Sequence, residues 1–333
     1  MDEYPDIYMT PEYAKLFEVP DRGTSCSFRH DSRAGAVMYS FLQRPIVIDG
    51  EVTDYRDIIS PYGYGGPVIQ SGSPEAYGRL LEEFRGAFAE HCRERKIVSE
   101  FVRFHPLLNN VVYGKAMYDV ALNRQTVAID LTCGDLEANS FSTNCKNKIR
   151  KAIKAGVTIR MDAGGEFVED FHRLYTLTMH KNDATDYYFF TKEYFAETMR
   201  SLRGHIFMLH ASYGGEIVSS AMFMHHGPFV HYHFSATHPE FYRLACNNLL
   251  LAEAARWGQD HGKKWLHLGG GYTTAADDPL LVFKKSFTKD GLCDFWVGRR
   301  VHNQAMYREL ADAAVRANPA LKDSSFFPLY RAR

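Results

Sequence analysis

Three short stretches contain residue types that could do chemistry, and the first is rich in glycine and tyrosine. Residues 60–67 read SPYGYGGP. Glycines let a backbone approach a ligand closely, and tyrosine rings can stack or form hydrogen bonds along an extended substrate. A Gly-Pro cluster is more commonly a tight structural turn. Its spacing does not fit the GxGxxG or Walker phosphate loops. The candidate substrate-binding residues are Tyr62, Gly63, Tyr64, Gly65 and Gly66.

The second stretch is basic. Residues 144–157 read NCKNKIRKAIKAGV, and their spacing predicts a helix over 144–155 that ends at Gly156. Ile149 and Ile153 are four residues apart and are expected to pack together on the core side. The cations of this helix could hold phosphates of a nucleotide-linked substrate or an RNA backbone, although a basic face is usually just solvated. The candidate phosphate contacts are Lys146, Arg150 and Lys151.

The third stretch joins glycines to a lysine. Residues 265–271 read WLHLGGG, and residues 283–287 read FKKSF. A buried strand that ends in glycines opens a gap at a sheet edge, where a substrate backbone could enter. A lysine at the mouth of an apolar groove can stabilise the oxyanion of an acyl transfer, and losing such a donor typically costs about 10²–10³ in rate. An ordinary glycine-rich loop with a solvated lysine is the alternative. The candidates are Gly269, Gly270 and Gly271 for substrate binding, with Lys284 and Phe283 as catalytic residues.

The elements around these stretches alternate short apolar strands with amphipathic helices, which predicts an α/β fold. Strands expected at 205–213, 216–224 and 229–236 are separated by glycine-containing turns and indicate a meander. A strong amphipathic helix is expected at 246–262. This order is typical of a GNAT-type acyltransferase domain, and the first half of the chain is similar to a degenerate copy. The predicted domains are a degenerate GNAT-like domain at 1–156 and a GNAT-like acyltransferase domain at 157–333.

Composition narrows the possible partners and location. A chain of 333 residues with 23 phenylalanines and 20 tyrosines has the length for two aromatic-rich cores. The net charge of −1 gives no global attraction to nucleic acid, so an RNA partner would need local basic patches. The six cysteines show no CxxC spacing, and no apolar run approaches the roughly 18 residues that a membrane span needs. We expect a cytoplasmic protein with reduced thiols.

Two pairs of residues and one cysteine have both a functional and a structural interpretation. His231 and His233 share one face of a strand, but no acidic residue or cysteine joins them at a motif spacing, so no metal site is expected. Asp277 and Asp278 could orient an attacking amine, but a cap on the helix that begins near Pro279 is favoured. Cys246, at a helix start, is expected to be a small buried residue.

SPYGYGGP, NKIRKAIKAGV and LGGG followed by FKKSF together resemble the Fem-type (FemAB/FemX-like) aminoacyltransferases. That family belongs to the GNAT superfamily, has a BioF2-like acetyltransferase domain, and moves an amino acid from aminoacyl-tRNA onto a peptidoglycan precursor. The resemblance covers most of the chain, from the strand of Tyr39 to that of Trp296. It implies tandem GNAT-like domains around a shared cleft, with residues 60–67 on the acceptor side and Phe283 and Lys284 contacting the reacting acyl-RNA end.

The resemblance implies an enzyme that forms an amide on a primary amine of a peptidoglycan precursor, amino sugar or peptide. No tightly bound cofactor is expected, and the co-substrate is aminoacyl-tRNA or, second, acyl-CoA. Larger Fem enzymes carry a long helical arm associated with tRNA, and this sequence has no charged heptad segment of that size. A tRNA donor would then be bound only through its acceptor end, or the acyl donor is a smaller molecule than tRNA.

Two alternatives stay open. In an acyl-CoA-dependent N-acetyltransferase, a glycine-containing loop usually precedes the helix after the meander, whereas residues 240–248 contain Arg243 and no glycine. The other alternative is a non-catalytic GNAT scaffold that binds a precursor. The sequence leaves open the acyl group, the acceptor and the oligomeric state.

Overall fold

The computed structural model describes residues 3–48 and 50–332. The strands in these residues are β1 Thr24–Ser32, β2 Gly35–Ile48, β3 Glu51–Ile59, β4 Val68–Gly72, β5 Ile97–Arg103, β6 Asp119–Asp130, β7 Thr158–Asp162, β8 Ile206–Tyr213, β9 Glu216–His226, β10 Phe229–Thr237, β11 Trp265–Gly270 and β12 Leu292–Val301. The helices are α1 Pro11–Lys15, α2 Tyr77–Glu94, α3 Val111–Gly114, α4 Leu136–Asn139, α5 Thr143–Lys154, α6 Val168–Lys181, α7 Lys192–Ser201, α8 Cys246–Asp260, α9 Pro279–Lys285 and α10 Gln304–Ala317.

The chain divides into two compact units. The first unit holds residues 3–123 with 295–332, and the second unit holds Arg124–Asp294. This division differs from the predicted single boundary at residue 156. The basic helix α5 belongs to the second unit because its Cys145 and Ile149 lie in that unit's core. The C-terminal half of β12 belongs to the first unit because it pairs with β5.

In the first unit the strand order is β1-β2-β3-β5-β12, and β4 pairs with β2. The β3–β5 pairing is parallel, whereas the other pairs are antiparallel. Helix α2 buries Leu80, Phe84 and Phe88, which are spaced by four residues and therefore share one helix face. The Phe88 ring packs against the rings of Tyr39 and Phe41 in β2, and the Phe84 ring stacks on Phe88.

In the second unit the strand order is β6-β11-β10-β9-β8-β7. Strands β8, β9 and β10 form an antiparallel meander as the sequence predicts, and β11 joins β10 in parallel. Helix α8 lies in the core and contacts α5. Ile149 and Ile153 were both predicted to pack on the core side of α5. The prediction is correct for Ile149, which is 1% exposed, and wrong for Ile153, which is 54% exposed. The buried face of α5 is instead Cys145, Ile149 and Ala152.

The predicted α/β fold is thus confirmed, with a meander and a long buried helix in the order typical of a GNAT domain. Within residues 3–48 and 50–332, no helix is both long and apolar enough to cross a lipid bilayer.

Candidate active site

Strands β10 and β11 separate part-way along their length. They pair in parallel only from Phe229 with Trp265 to His231 with His267. Beyond those residues β10 continues along β9 to Thr237, while β11 continues along β6 to Gly270. The separating ends leave a wedge in the sheet of the second unit, the kind of gap expected where a strand ends in glycines.

A bulge in β10 aims Tyr232 at this wedge. The β10–β9 register shifts between Tyr232 and Phe234. In a regular strand, residues two apart point to the same face. Here the Tyr232 ring joins the core beside α8, whereas the Phe234 ring packs on the α6 side against Tyr175 and Phe195. Bulges of this kind commonly redirect a side chain next to an active site.

Lys284, on α9, is held at the same place. Its ammonium donates a 2.7 Å hydrogen bond to the carbonyl of Gly270 and lies 5.9 Å from the centre of the Tyr232 ring. The side chain is only 7% exposed. Burial lowers the pKa of Lys284 from its ordinary 10.5 to about 7, and Asp278 opposes part of this change. Lys284 therefore changes charge near neutral pH, as expected of a group with a catalytic function.

Asp278 fixes the start of α9 and hence the position of Lys284. Its carboxylate accepts hydrogen bonds from the amides of Leu280, Leu281 and Thr273. Burial alone would raise the pKa of Asp278, but these amide donors lower it to about 2. A Cβ on Gly271 would come within 2.4 Å of this carboxylate, so Gly271 lets the loop pass close to the cap. The predicted capping role of Asp278 is confirmed.

A cavity of about 400 Å³ lies at the N-terminal end of α8. Its cationic residues are Lys148 and Lys151 from α5, and Arg243 from the Pro239–Leu244 turn. Phe283 from α9 forms another part of the wall, and none of the acidic residues among 3–48 and 50–332 lines this cavity. A helix N-terminus carries partial positive charge, so this cavity suits an anion, and its volume suits a small ligand.

Asn247 connects this cavity to Tyr232. It lines the cavity, and its side-chain amide donates a 3.0 Å hydrogen bond to the Tyr232 hydroxyl. The Tyr232 ring in turn faces the Lys284 ammonium. The cavity and the buried lysine are therefore parts of one site.

The turn before α8 contains an unusual residue conformation. Ala245, at the N-cap of α8, has φ 57° and ψ 33°, the left-handed conformation that glycine adopts most readily. The absence of glycine from residues 240–248 therefore does not prevent a glycine-like turn at this position. Cys246, next in the chain, is buried as predicted, and burial raises the pKa of its thiol. It remains a neutral thiol at neutral pH.

Only one of the three predicted phosphate contacts, Lys151, is among the residues that line the cavity. Lys151 lines the cavity, whereas Lys146 and Arg150 do not. Lys148, which the sequence prediction did not include, also lines the cavity, and the sequence carried a signal for it. Cys145, Ile149 and Ala152 form the buried face of α5. Each helical residue turns about 100°, so Lys148 and Lys151, three residues apart, lie on the same side of α5 next to its buried face. From there both reach the cavity.

The glycine-tyrosine loop of the first unit is a tightly held turn. Tyr64 is buried, and its ring contacts the rings of Tyr8 and His105. Gly63 has φ +95°, and a Cβ there would come within 2.4 Å of the Tyr8 ring. The side chain of Asn110 donates to the carbonyls of Gly65 and Pro67.

Packing therefore accounts for Gly63, Tyr64 and Gly65, and also for Gly66, whose φ is +94° and whose added Cβ would meet Val102 at 3.0 Å. Tyr62 and Gly63 are partly exposed. Acceptor binding by this loop stays a prediction.

The glycines after β11 have separate roles. Gly269 takes a positive φ of 74°, at the point where the β11–β6 register shifts. Gly270 supplies the carbonyl that holds Lys284, and a Cβ on it would meet the carbonyl oxygen of Gln125 at 3.0 Å. Substrate binding by these glycines also stays a prediction.

The comparisons with known proteins agree with this arrangement. Residues 139–285 match the acetyltransferase (GNAT) domain family. FemX is a solved structure with a similar fold, at 14% identity and a TM-score of 0.68 over 91% of this chain and 94% of that chain. A comparison with curated protein sequences gives no match.

Two further solved structures are similar. L-PGS from Bacillus licheniformis has 13% identity and a TM-score of 0.51, over 90% of this chain and 94% of that chain. The C-terminal domain of an Agrobacterium fabrum protein, provisionally assigned as a lysylphosphatidylglycerol synthetase, has 13% identity and a TM-score of 0.54, over 94% and 91%. Likeness at these identities is likeness of fold. The predicted Fem-type resemblance is confirmed at that level, and the second unit has the fold of a GNAT domain.

Proposed function

We propose that this chain is an aminoacyltransferase that forms an amide on a primary amine of a cell-wall or surface-glycan precursor, with aminoacyl-tRNA as donor. The main support is the position of Lys284, a buried amine at the wedge of a GNAT domain, next to a cationic cavity. The cavity would hold phosphate of the donor's 3′ end through Lys148, Lys151 and Arg243. The overall likeness to FemX supports the choice of an aminoacyl donor.

In the proposed reaction the acceptor's neutral amine attacks the carbonyl carbon of the aminoacyl ester. The C–N bond forms, the negative charge moves to the carbonyl oxygen, and the C–O bond to the ribose then breaks. The ribose hydroxyl leaves with the proton that the amine gives up. Lys284 in its ammonium form has three donors, of which Gly270 occupies one, so the others are available to the developing oxyanion.

Phe283 would contact the donor beside the carbonyl. Its ring is partly buried against the core and lies 5.5 Å from the Phe287 ring, so its orientation is fixed by packing. It also forms part of the cavity wall. A fixed apolar wall next to a charged cavity can exclude water from the ester, which competes with the amine as a nucleophile. We propose that Tyr62 and Gly63, the partly exposed residues of the 60–67 loop, contact the acceptor.

The test is a transfer assay with radiolabelled aminoacyl-tRNAs and a set of amine acceptors that includes a nucleotide-linked peptidoglycan precursor and an amino sugar. Lys284→Ala should lower kcat about 10²–10³-fold. Lys285→Ala is the matched control, because Lys285 is the exposed neighbour on the same helix. An unchanged kcat/KM in folded Lys284→Ala would remove Lys284 from the mechanism. Failure of every aminoacyl donor with every amine would refute the proposed function.

The cationic cavity has its own control. Lys151→Ala should weaken donor binding and lower the salt dependence of binding by about one phosphate contact. Lys154→Ala, on the same helix but outside the cavity lining, should change neither quantity beyond the general effect of net charge. Equal effects of both variants would indicate only diffuse attraction by the basic helix.

A second candidate function is acyl-CoA-dependent N-acetyl transfer. The observation that favours it is the left-handed Ala245 at the start of α8, which gives the turn a glycine-like backbone beside an anion-suited cavity. Acetyl-CoA in the same assay decides between the donors. Acetylation of an amine without aminoacyl transfer would make this the function, and binding of precursors without any transfer would indicate a non-catalytic scaffold.

A further inference from the structure

Two exposed tyrosines, Tyr242 and Tyr272, lie close enough to interact electrostatically, and Tyr242 lines the cavity. Tyr242 is 41% exposed and lines the cavity, and Tyr272, in the loop after β11, is 64% exposed. Most of the large aromatic side chains of this unit are instead buried or partly buried, and Phe223 and Phe287 are fully buried. Exposed tyrosines at a cavity rim offer ring faces to a ligand.

Polar contacts, and not apolar packing, hold both rings in place. The ammonium of Lys181, at the end of α6, lies 3.8 Å from the centre of the Tyr242 ring. Asn182, next in the chain, donates to the Tyr272 hydroxyl at 3.5 Å. The guanidinium of Arg124 donates a 3.3 Å hydrogen bond to the Tyr272 carbonyl and so holds the backbone of the loop after β11. The end of α6 thus connects the two tyrosines into one rim.

The rim and the cavity together match the chemistry of a nucleotide. Lys148, Lys151 and Arg243 suit a phosphate, and the rim tyrosines suit a planar base. The Lys181 ammonium lies over one face of the Tyr242 ring, so a base would stack on the other face. An acidic peptide without aromatic residues would use the cations alone, whereas a base with a phosphate would use both the cations and the ring faces.

We propose that Tyr242 and Tyr272 form a stacking clamp for the nucleotide that ends the acyl donor. The proposal rests on the proposed function, because it takes the cavity as the donor site. The shared chemistry is a base with an adjacent phosphate, which both an RNA 3′ end and coenzyme A present. The clamp sets donor affinity and takes no part in bond making, so its loss raises KM and leaves kcat at saturating donor nearly unchanged.

The experiment measures binding of two probes at one fixed salt concentration: a CCA-ended RNA minihelix with an amide-linked amino acid, and coenzyme A. Tyr272→Ala and Tyr242→Ala should each weaken binding of the preferred probe about 5- to 150-fold, the effect of losing one stacked base. Tyr272→Phe keeps the ring and should stay within about twofold. Tyr188→Ala is the control, because Tyr188 is also an exposed tyrosine of the second unit but lies in a different segment, the turn Asp186–Tyr188.

The outcomes separate the clamp from the proposed function. Weakened RNA binding in both alanine variants, with the phenylalanine and control variants unaffected, supports both proposals. Weakened coenzyme A binding alone supports the clamp and overturns the aminoacyl-tRNA donor. Normal binding of both probes in variants that still transfer an aminoacyl group overturns the clamp and leaves the proposed function standing. An equal loss in Tyr272→Phe and Tyr272→Ala also overturns stacking, because the ring alone should suffice.

Discussion

Replacing Lys284 by methionine should abolish catalysis and at the same time stabilise the protein. Methionine fills a similar volume without a charge. In the wild type the folded state holds an amine whose pKa is about 7, while the unfolded chain has the ordinary value of 10.5. Between those two pH values the unfolded state binds more protons, so wild-type stability rises with pH across that window. Below about pH 7 the destabilising effect of Lys284 is complete.

The magnitude follows from the pKa difference. At 1.36 kcal/mol per pH unit, the fall from 10.5 to about 7 corresponds to about 5 kcal/mol of lost stability at pH 7. The hydrogen bond to Gly270 offsets about 1.5–3 kcal/mol of it, and the variant loses that bond. Lys284→Met should therefore gain about 2–3 kcal/mol at pH 7. At pH 9 the destabilisation by the buried charge falls to about 2 kcal/mol. The lost hydrogen bond to Gly270 then offsets nearly all of it, so the stability gained by Lys284→Met should nearly vanish.

The assay is urea unfolding of both proteins at pH 7, 8 and 9, followed by the fluorescence of Trp257 and Trp265 in the second unit. Lys285→Met is the control, because Lys285 is the neighbouring lysine on the same helix and its side chain is exposed, not buried. A stability difference that does not change between pH 7 and 9 would refute the account of Lys284 as a buried, partly neutral amine. A variant that is less stable at pH 7 would refute it as well.

Further predictions concern the packing around both units, and urea unfolding checks each of them. Gly63→Ala should cost about 2–4 kcal/mol through its positive φ and the contact with Tyr8, whereas Gly78→Ala, an open position inside α2, should gain about 0.5–1 kcal/mol. Asp57→Ala should cost about 3–5 kcal/mol, because the carboxylate is buried between two arginines that would lose their partner. Asp278→Asn should cost about 1–2 kcal/mol at pH 7, because asparagine can still cap α9 but lacks the charge that strengthens the amide hydrogen bonds. That cost should disappear as the pH falls from about 4 to 2, since the wild-type carboxylate becomes protonated there.

The elements of the second unit could be predicted because their signals are local. The meander follows from three apolar runs with glycine turns, and the Asp278 cap follows from an aspartate directly before a proline. The division of the chain could not be predicted in the same way. Pairing of β12 with β5 joins residues about 200 positions apart, and no local pattern encodes that partner.

The candidate site shows the same limit at the level of single residues. The sequence identified a basic helix and Lys284 from residue type and spacing, and the Fem-type resemblance added Phe283 as its partner. Which cations reach the cavity depended on the face of α5 that packs on α8, and that face contains Ala152 in place of Ile153. Hydrophobic spacing alone allowed either choice, because positions 152 and 153 both lie within one turn of Ile149.

The sequence by itself determined the types of the elements, their order and the local caps, because hydrogen bonding and side-chain periodicity act between near neighbours. Only the tertiary structure decided the charge state of Lys284. Its low pKa results from burial beside Gly270 and Tyr232, which come from two other strands of the second unit. Desolvation depends on every group that surrounds an amine in space, and those groups are assembled only when the sheet and α9 come together.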